Sequence, residues 1–122
     1  MRVPYSREYD PPAPVIEVTV KPPKGKGVRV KALIDSGADI SAFPRELLRE
    51  LKLVPGSLVK VQGYDGSIEE IYSYFIEVDV KGIVKDIVEA VPGEHMLLGR
   101  NFLRLVNVTL RGKENELEIV DP

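Results

Sequence analysis

Cysteine is absent from this chain, which excludes disulfides, thiolate metal sites and a cysteine nucleophile. Histidine is nearly absent: the single His95 sits in a Pro-Gly-Glu loop and reads as a surface residue, too little for a zinc site, and a Ser-His-Asp triad would have to recruit it. Long apolar runs are also missing. Nothing approaches the ~18 residues of a transmembrane helix, and Met1-Arg2-Val3-Pro4 lacks the apolar segment of a secretory signal. The expectation is a cytoplasmic protein that does not engage membranes. An excess of one charge is lacking as well: 17 Lys and Arg stand against 19 Asp and Glu, a formal charge of −2. That balance gives no electrostatic case for nucleic acid or an anionic membrane as partner.

What is present describes a small globular domain. A chain of 122 residues, 43% hydrophobic and 30% charged, buries one core and is too short for two ordinary domains. Residues 1–14 carry Pro4, Pro11, Pro12 and Pro14, which cannot donate the amides of a helix or central strand. They read as an extended arm, disordered or draped on a neighbour, preceding a domain over residues 15–122.

From Val15 the pattern alternates. Ile16, Val18 and Val20 fall on one side, Glu17 and Thr19 on the other, and Val28, Val30 and Ala32 resume the pattern after a Pro-Pro-Lys-Gly-Lys-Gly loop. Pro44 followed by Leu47, Leu48 and Leu51 predicts a short helix over 45–52. Strands are predicted over 58–62, 68–72, 74–80, 84–91, 106–111 and 116–120, with a helical turn over 100–105. Many short strands with Gly and Pro turns argue for an all-β closed barrel with short helices.

Two runs carry chemistry. In Ala32-Leu33-Ile34-Asp35-Ser36-Gly37-Ala38-Asp39 an apolar strand ends in a carboxylate followed by a tight turn. The turn amides and the Ser36 hydroxyl can donate to Asp35 and fix its direction, although the same residues suit an ordinary turn. In Met96-Leu97-Leu98-Gly99-Arg100-Asn101-Phe102-Leu103 an apolar strand again breaks at glycine.

Together, and in this order, the two runs resemble the motifs of the retropepsin-like aspartic proteases, the family of the retroviral proteases and their cellular relatives. The resemblance spans roughly Val15 to Val120. It implies one lobe of an acid-protease barrel, with Asp35 as the catalytic residue, Ser36, Gly37 and Ala38 as the active-site loop, and Gly99, Arg100 and Asn101 as structural support behind it. It also implies that Asp39 contacts substrate backbone and is steadied by Arg100. The alternative is a buried ion pair that only braces the loop, whose rupture would cost ~3 to 5 kcal/mol. The turn-rich Gln62-Gly63-Tyr64-Asp65-Gly66-Ser67 falls where the family has its flap, so Gly63, Tyr64, Asp65 and Gly66 become substrate contacts. An ordinary hairpin turn is the plainer reading. Tyr64 and Asp65 are larger and more polar than the tips of retroviral flaps, and the hairpin over 106–120 is longer than the retroviral C-terminal strand, closer to cellular relatives. No metal and no cofactor are implied.

One suitable Asp per chain is insufficient for the chemistry. Hydrolysis asks one group to take a proton from water while another gives one to the carbonyl. Asp65, Asp79, Asp86 and Asp121 have no matching turn, so the mechanism requires a two-fold homodimer that brings Asp35 against its symmetry mate. Two unit charges about 3 Å apart at an effective dielectric near 20 repel by roughly 5 kcal/mol, so the pair shares one proton, as aspartic proteases do. Ala38 offers no hydroxyl to favour the charged form, which predicts activity at mildly acidic to neutral pH. The sequence thus reads as an aspartic endopeptidase acting on peptides or unfolded protein. The rivals are a catalytically silent peptide-binding dimer of the same fold and a monomeric barrel whose Asp-Ser-Gly turn is only structural.

Overall fold

The alternation of β2 (Val15–Lys21) buries Val15, Ile16, Val18 and Val20 and leaves Glu17 in water, as a strand with one wet face should. In the computed structural model, which describes residues 1–53, 55–63 and 65–121, this strand opens a closed barrel. Its neighbours are β3 (Val28–Ile34) and β7 (Tyr74–Val80), both antiparallel to it. The circuit continues from β3 through β9 (Leu97–Leu98), β4 (Ser41–Pro44) and β8 (Val84–Gly93) back to β7. Inward residues of these strands, among them Ala32, Phe43, Ile76, Val78, Val80, Val88 and Leu98, form one core with Phe102. The all-β barrel with short helices expected from the sequence is therefore the fold observed.

Local sequence explains the boundaries. β8 runs beyond Val91 to Gly93 because Phe43 and Pro44 of β4 pair with Pro92 and Gly93 in parallel. Pro44 lies just before α1 (Arg45–Glu50), not inside it: its ψ of 142° keeps it extended at the end of β4. Leu47, Leu48 and Leu51 pack this helix on the barrel, and Lys52 at φ 53° ends it.

The N-terminal segment departs from the expected free or draped arm. β1 (Arg2–Pro4) pairs with β11 (Glu116–Val120), which pairs with β10 (Asn107–Arg111) in a three-stranded sheet. Tyr5 donates to Asn115 O at 2.7 Å, and Ser6 and Ala13 form a bridge. The prolines permit this because Pro4 closes an edge strand, where a missing donor costs little, while Arg2 and Val3 remain free to pair. The return of the chain has a further consequence: Pro14 O accepts the amide of Ile34 at 2.9 Å, one residue before Asp35.

Between α1 and β7 stands a separate two-stranded hairpin, β5 (Leu58–Gln62) and β6 (Ile68–Tyr72), which among the described residues pairs with no other strand. Among the described residues no helix is long and apolar enough to cross a membrane.

Candidate active site

The two motifs, far apart in the chain, are neighbours in space. Leu33 and Ile34 pair in parallel with Leu97 and Leu98, so β3 and β9 leave the barrel side by side. Asp35 follows as the strand ends: its amide donates to Leu98 O at 3.0 Å, and its carboxylate stands half-buried at the turn. The Gly37 amide donates to Asp35 Oδ1 at 2.9 Å, and the Ala38 amide donates to Asp35 O at 3.3 Å. A β-carbon at Gly37 would come within 3.2 Å of that same Oδ1. The carboxylate is thus aimed by its own turn. Among the described residues Ser36 does not donate its hydroxyl to Asp35, contrary to expectation; Ser36 is exposed, and its part in the loop is its carbonyl.

The second motif clasps this turn from behind. Arg100, opening α2 (Arg100–Leu103), donates its amide to Ala38 O at 2.8 Å and its Nη1 to Ser36 O at 2.7 Å. Gly99 packs so tightly on the loop that a β-carbon there would lie 2.8 Å from Ala38 O, Ile40 C and Ile40 O. Asn101 Oδ1 accepts both the amide (3.1 Å) and hydroxyl (2.8 Å) of Ser41, whose Oγ in turn accepts the Gly99 amide at 3.0 Å. The remaining Asn101 group, Nδ2, donates to Glu89 O at 2.6 Å. Ser41 is fully buried, and its amide and hydroxyl are both spent on holding the two motifs together.

The expected ion pair between Asp39 and Arg100 is not formed among the described residues, and both side chains are exposed, not buried. Arg100 instead spends its guanidinium on a loop carbonyl. Ser41 and Glu89 escaped the sequence reading. The signal for Ser41 was a hydroxyl between apolar residues of a short strand, whereas nothing local marks Glu89, which joins through its backbone.

In the hairpin, Gly63 donates to Ser67 O at 2.9 Å and Gly66 to Gly63 O at 3.1 Å, with Gly66 at φ 84°, a conformation that glycine adopts without strain. Asp65 Oδ1 accepts the Ser67 hydroxyl at 2.6 Å and the Ser67 amide at 3.0 Å. These bonds, the hydroxyl's first, hold the Asp65 carboxyl below its ordinary range. Tyr64, expected among the substrate contacts, lies outside the described residues. His95 is exposed. A cavity of about 420 Å³ beneath α1, lined by Arg45, Arg49, Lys52 and Tyr74 among others, includes no residue of the Asp35 loop. Among the described residues no three His, Asp or Glu side chains gather as metal ligands.

A closed barrel of one lobe that presents an Asp-Ser-Gly turn clasped by a Gly-Arg-Asn motif defines a retropepsin-like fold. The family model described as "gag-polyprotein putative aspartyl protease" matches residues 24–105, well over half the chain, and the protein belongs to that aspartyl protease family. Solved structures agree on the fold. A retropepsin-like aspartic protease from Rickettsia conorii superposes with a TM-score of 0.64 at 16% identity, covering 100% of this chain and 91% of that one. EIAV protease, solved in complex with the inhibitor HBY-793, superposes with a TM-score of 0.59 at 24% identity, covering 84% of this chain and 92% of its own. No curated protein matches the sequence significantly.

Proposed function

We propose that the protein is an aspartic endopeptidase that acts as a two-fold homodimer, with Asp35 as its catalytic residue. The observation that carries this reading is the posture of Asp35: half-buried, with the Gly37 amide on Oδ1 and the loop beneath it clasped by Gly99 and Arg100. Within the chain Oδ2 accepts no hydrogen bond from the described residues, which leaves it for water. Membership of an aspartyl protease family supports the same reading.

One such carboxylate is half of the required chemistry. Against Asp35 of the partner subunit, the repulsion of two close charges retains one proton on the pair. The ionised member removes a proton from water as it attacks the peptide carbonyl; the protonated member gives its proton to the carbonyl oxygen and the pair later protonates the leaving amine. The β5–β6 hairpin serves as the flap, with Gly63, Asp65 and Gly66 at its tip beside the substrate, an extended peptide or unfolded segment. In this reading Asp39, exposed next to the loop and free of Arg100, meets substrate backbone amides.

The test is hydrolysis of a mixed peptide library from about pH 3 to about pH 8, with Asp35→Asn and a statine-type inhibitor as controls, beside sedimentation of the same preparation. Cleavage that the substitution and the inhibitor both abolish is the expected result. A confirmed dimer that cleaves nothing would overturn catalysis in favour of a peptide-binding dimer, and a monomer that cleaves nothing would leave Asp35 as a turn residue.

A further inference from the structure

The hairpin assigned as the flap joins the barrel through one knot. Its two roots are Gly56 and Ser57, just before β5, and Ser73, between β6 and β7. Gly56 donates to Ser73 O at 2.7 Å, Ser73 donates to Ser57 O at 2.7 Å, and Ser57 donates to Ser73 Oγ at 3.3 Å. A β-carbon on Gly56 would stand 2.7 Å and 2.8 Å from the Phe75 ring, so glycine lets this leg pass close against it. Because β5 and β6 pair, among the described residues, only with each other, a swing of the hairpin pivots here.

The knot is anchored by a carboxylate. Ser73 is fully buried and donates its hydroxyl to Glu89 Oε2 at 2.6 Å, the short separation of a charge-assisted bond. Glu89 O is also the acceptor of Asn101 Nδ2, and Asn101 leads through Ser41 to Gly99 and the Asp35 loop. Ser41 and Ser73, the buried polar side chains of the described chain, therefore stand at the two ends of one hydrogen-bonded path with Glu89 in its middle.

We propose that Glu89 is a positioning residue: through Ser73 it anchors the hinge of the flap, and through its carbonyl it holds that hinge in register with the Asp35 loop. The proposal rests on the reading of the loop and hairpin as the catalytic carboxylate and flap of a protease. Glutamine at this position keeps an acceptor for Ser73, whereas alanine removes it. The unanchored hairpin spends less time closed over a peptide, which weakens substrate capture more than it slows the reacting groups.

Amide hydrogen exchange by NMR and steady-state kinetics on Glu89→Ala, Glu89→Gln and Ser73→Ala test this. Loss of a partly buried charge-assisted bond is expected to speed exchange at the Gly56 amide, whose acceptor Ser73 O is kept in every variant, about tenfold in E89A and S73A, with a smaller increase at the Gly99 and Ser41 amides, while E89Q stays near the parent. KM is expected to rise about tenfold in E89A with kcat changed much less, and E89Q to restore it. Unchanged Gly56 exchange in E89A, or E89A and E89Q behaving alike, would overturn the proposal, as would a KM that does not move. Should E89A fail to fold, S73A removes the same bond from its other side. A parent protein that hydrolyses nothing would sink the protease reading alone, since exchange reports the anchor without substrate.

Discussion

Arg100 holds the Asp35 loop by donating its guanidinium to Ser36 O at 2.7 Å, not by pairing with Asp39. A cation on a neutral, partly solvated carbonyl is worth less than a buried ion pair, and its removal strands no carboxylate. Arg100→Ala is therefore expected to cost about 1 to 2 kcal/mol in urea unfolding, and Asp39→Ala combined with it should add no coupling. A loss near the ~3 to 5 kcal/mol of a ruptured buried pair would show that Asp39 and Arg100 meet in the working protein.

Gly99 faces backbone atoms that cannot rotate away: Ala38 O, Ile40 C and Ile40 O, each 2.8 Å from a β-carbon placed there. Gly99→Ala should cost about 3 kcal/mol in stability and push the Asp35 loop out of place. Chemical denaturation would read the first effect. Peptide hydrolysis at a temperature where the variant is still folded would read the second, and full activity there would show that the loop tolerates the displacement.

Ser41 and Asn101 share two hydrogen bonds, and the Ser41 hydroxyl accepts a third from the Gly99 amide. Removing either leaves partners unsatisfied, so Ser41→Ala and Asn101→Ala should each cost about 2 kcal/mol, and the double variant clearly less than their sum. Simple additivity in a double-mutant cycle would mean that the two act independently.

Asp65 titrates in the hairpin turn. Its folded value lies below the ordinary 3.8 because it accepts the Ser67 hydroxyl and amide. The sign follows: the turn's extra stability is complete above 3.8 and is lost as pH falls through the lowered folded value. Exchange protection at the Ser67 amide, corrected for intrinsic rates, should be flat from about pH 7 to about pH 5 and fall toward about pH 2. Asp65→Asn should abolish that acid dependence; a decline that persists in it would assign the effect to another group.

Much of the architecture was legible in local pattern. Period-two alternation marked β2 and β7 because each strand has one face in the core, and the spacing of Leu47, Leu48 and Leu51 marked α1. The Asp-Ser-Gly and Gly-Arg-Asn runs were conspicuous because a carboxylate and a glycine interrupt apolar strands, which is costly without a use.

What the sequence by itself determined, then, was what most segments after Val15 become: strand, helix, turn, and the residue types at the site. Pairing was decided only in the tertiary structure. Residues 1–14 read only as an extended arm, and that β11 would offer β1 an open edge depends on where the C-terminal hairpin packs. Asp39 and Arg100 looked like partners by charge, yet the turn points Arg100 at Ser36 O, and distance outranks charge. Glu89 could not be found from its neighbours in sequence, because its role comes from Ser73 and Asn101, which reach it across the barrel. Hydrogen bonds are short-ranged and directional, so their partners are set by the packing that brings segments together.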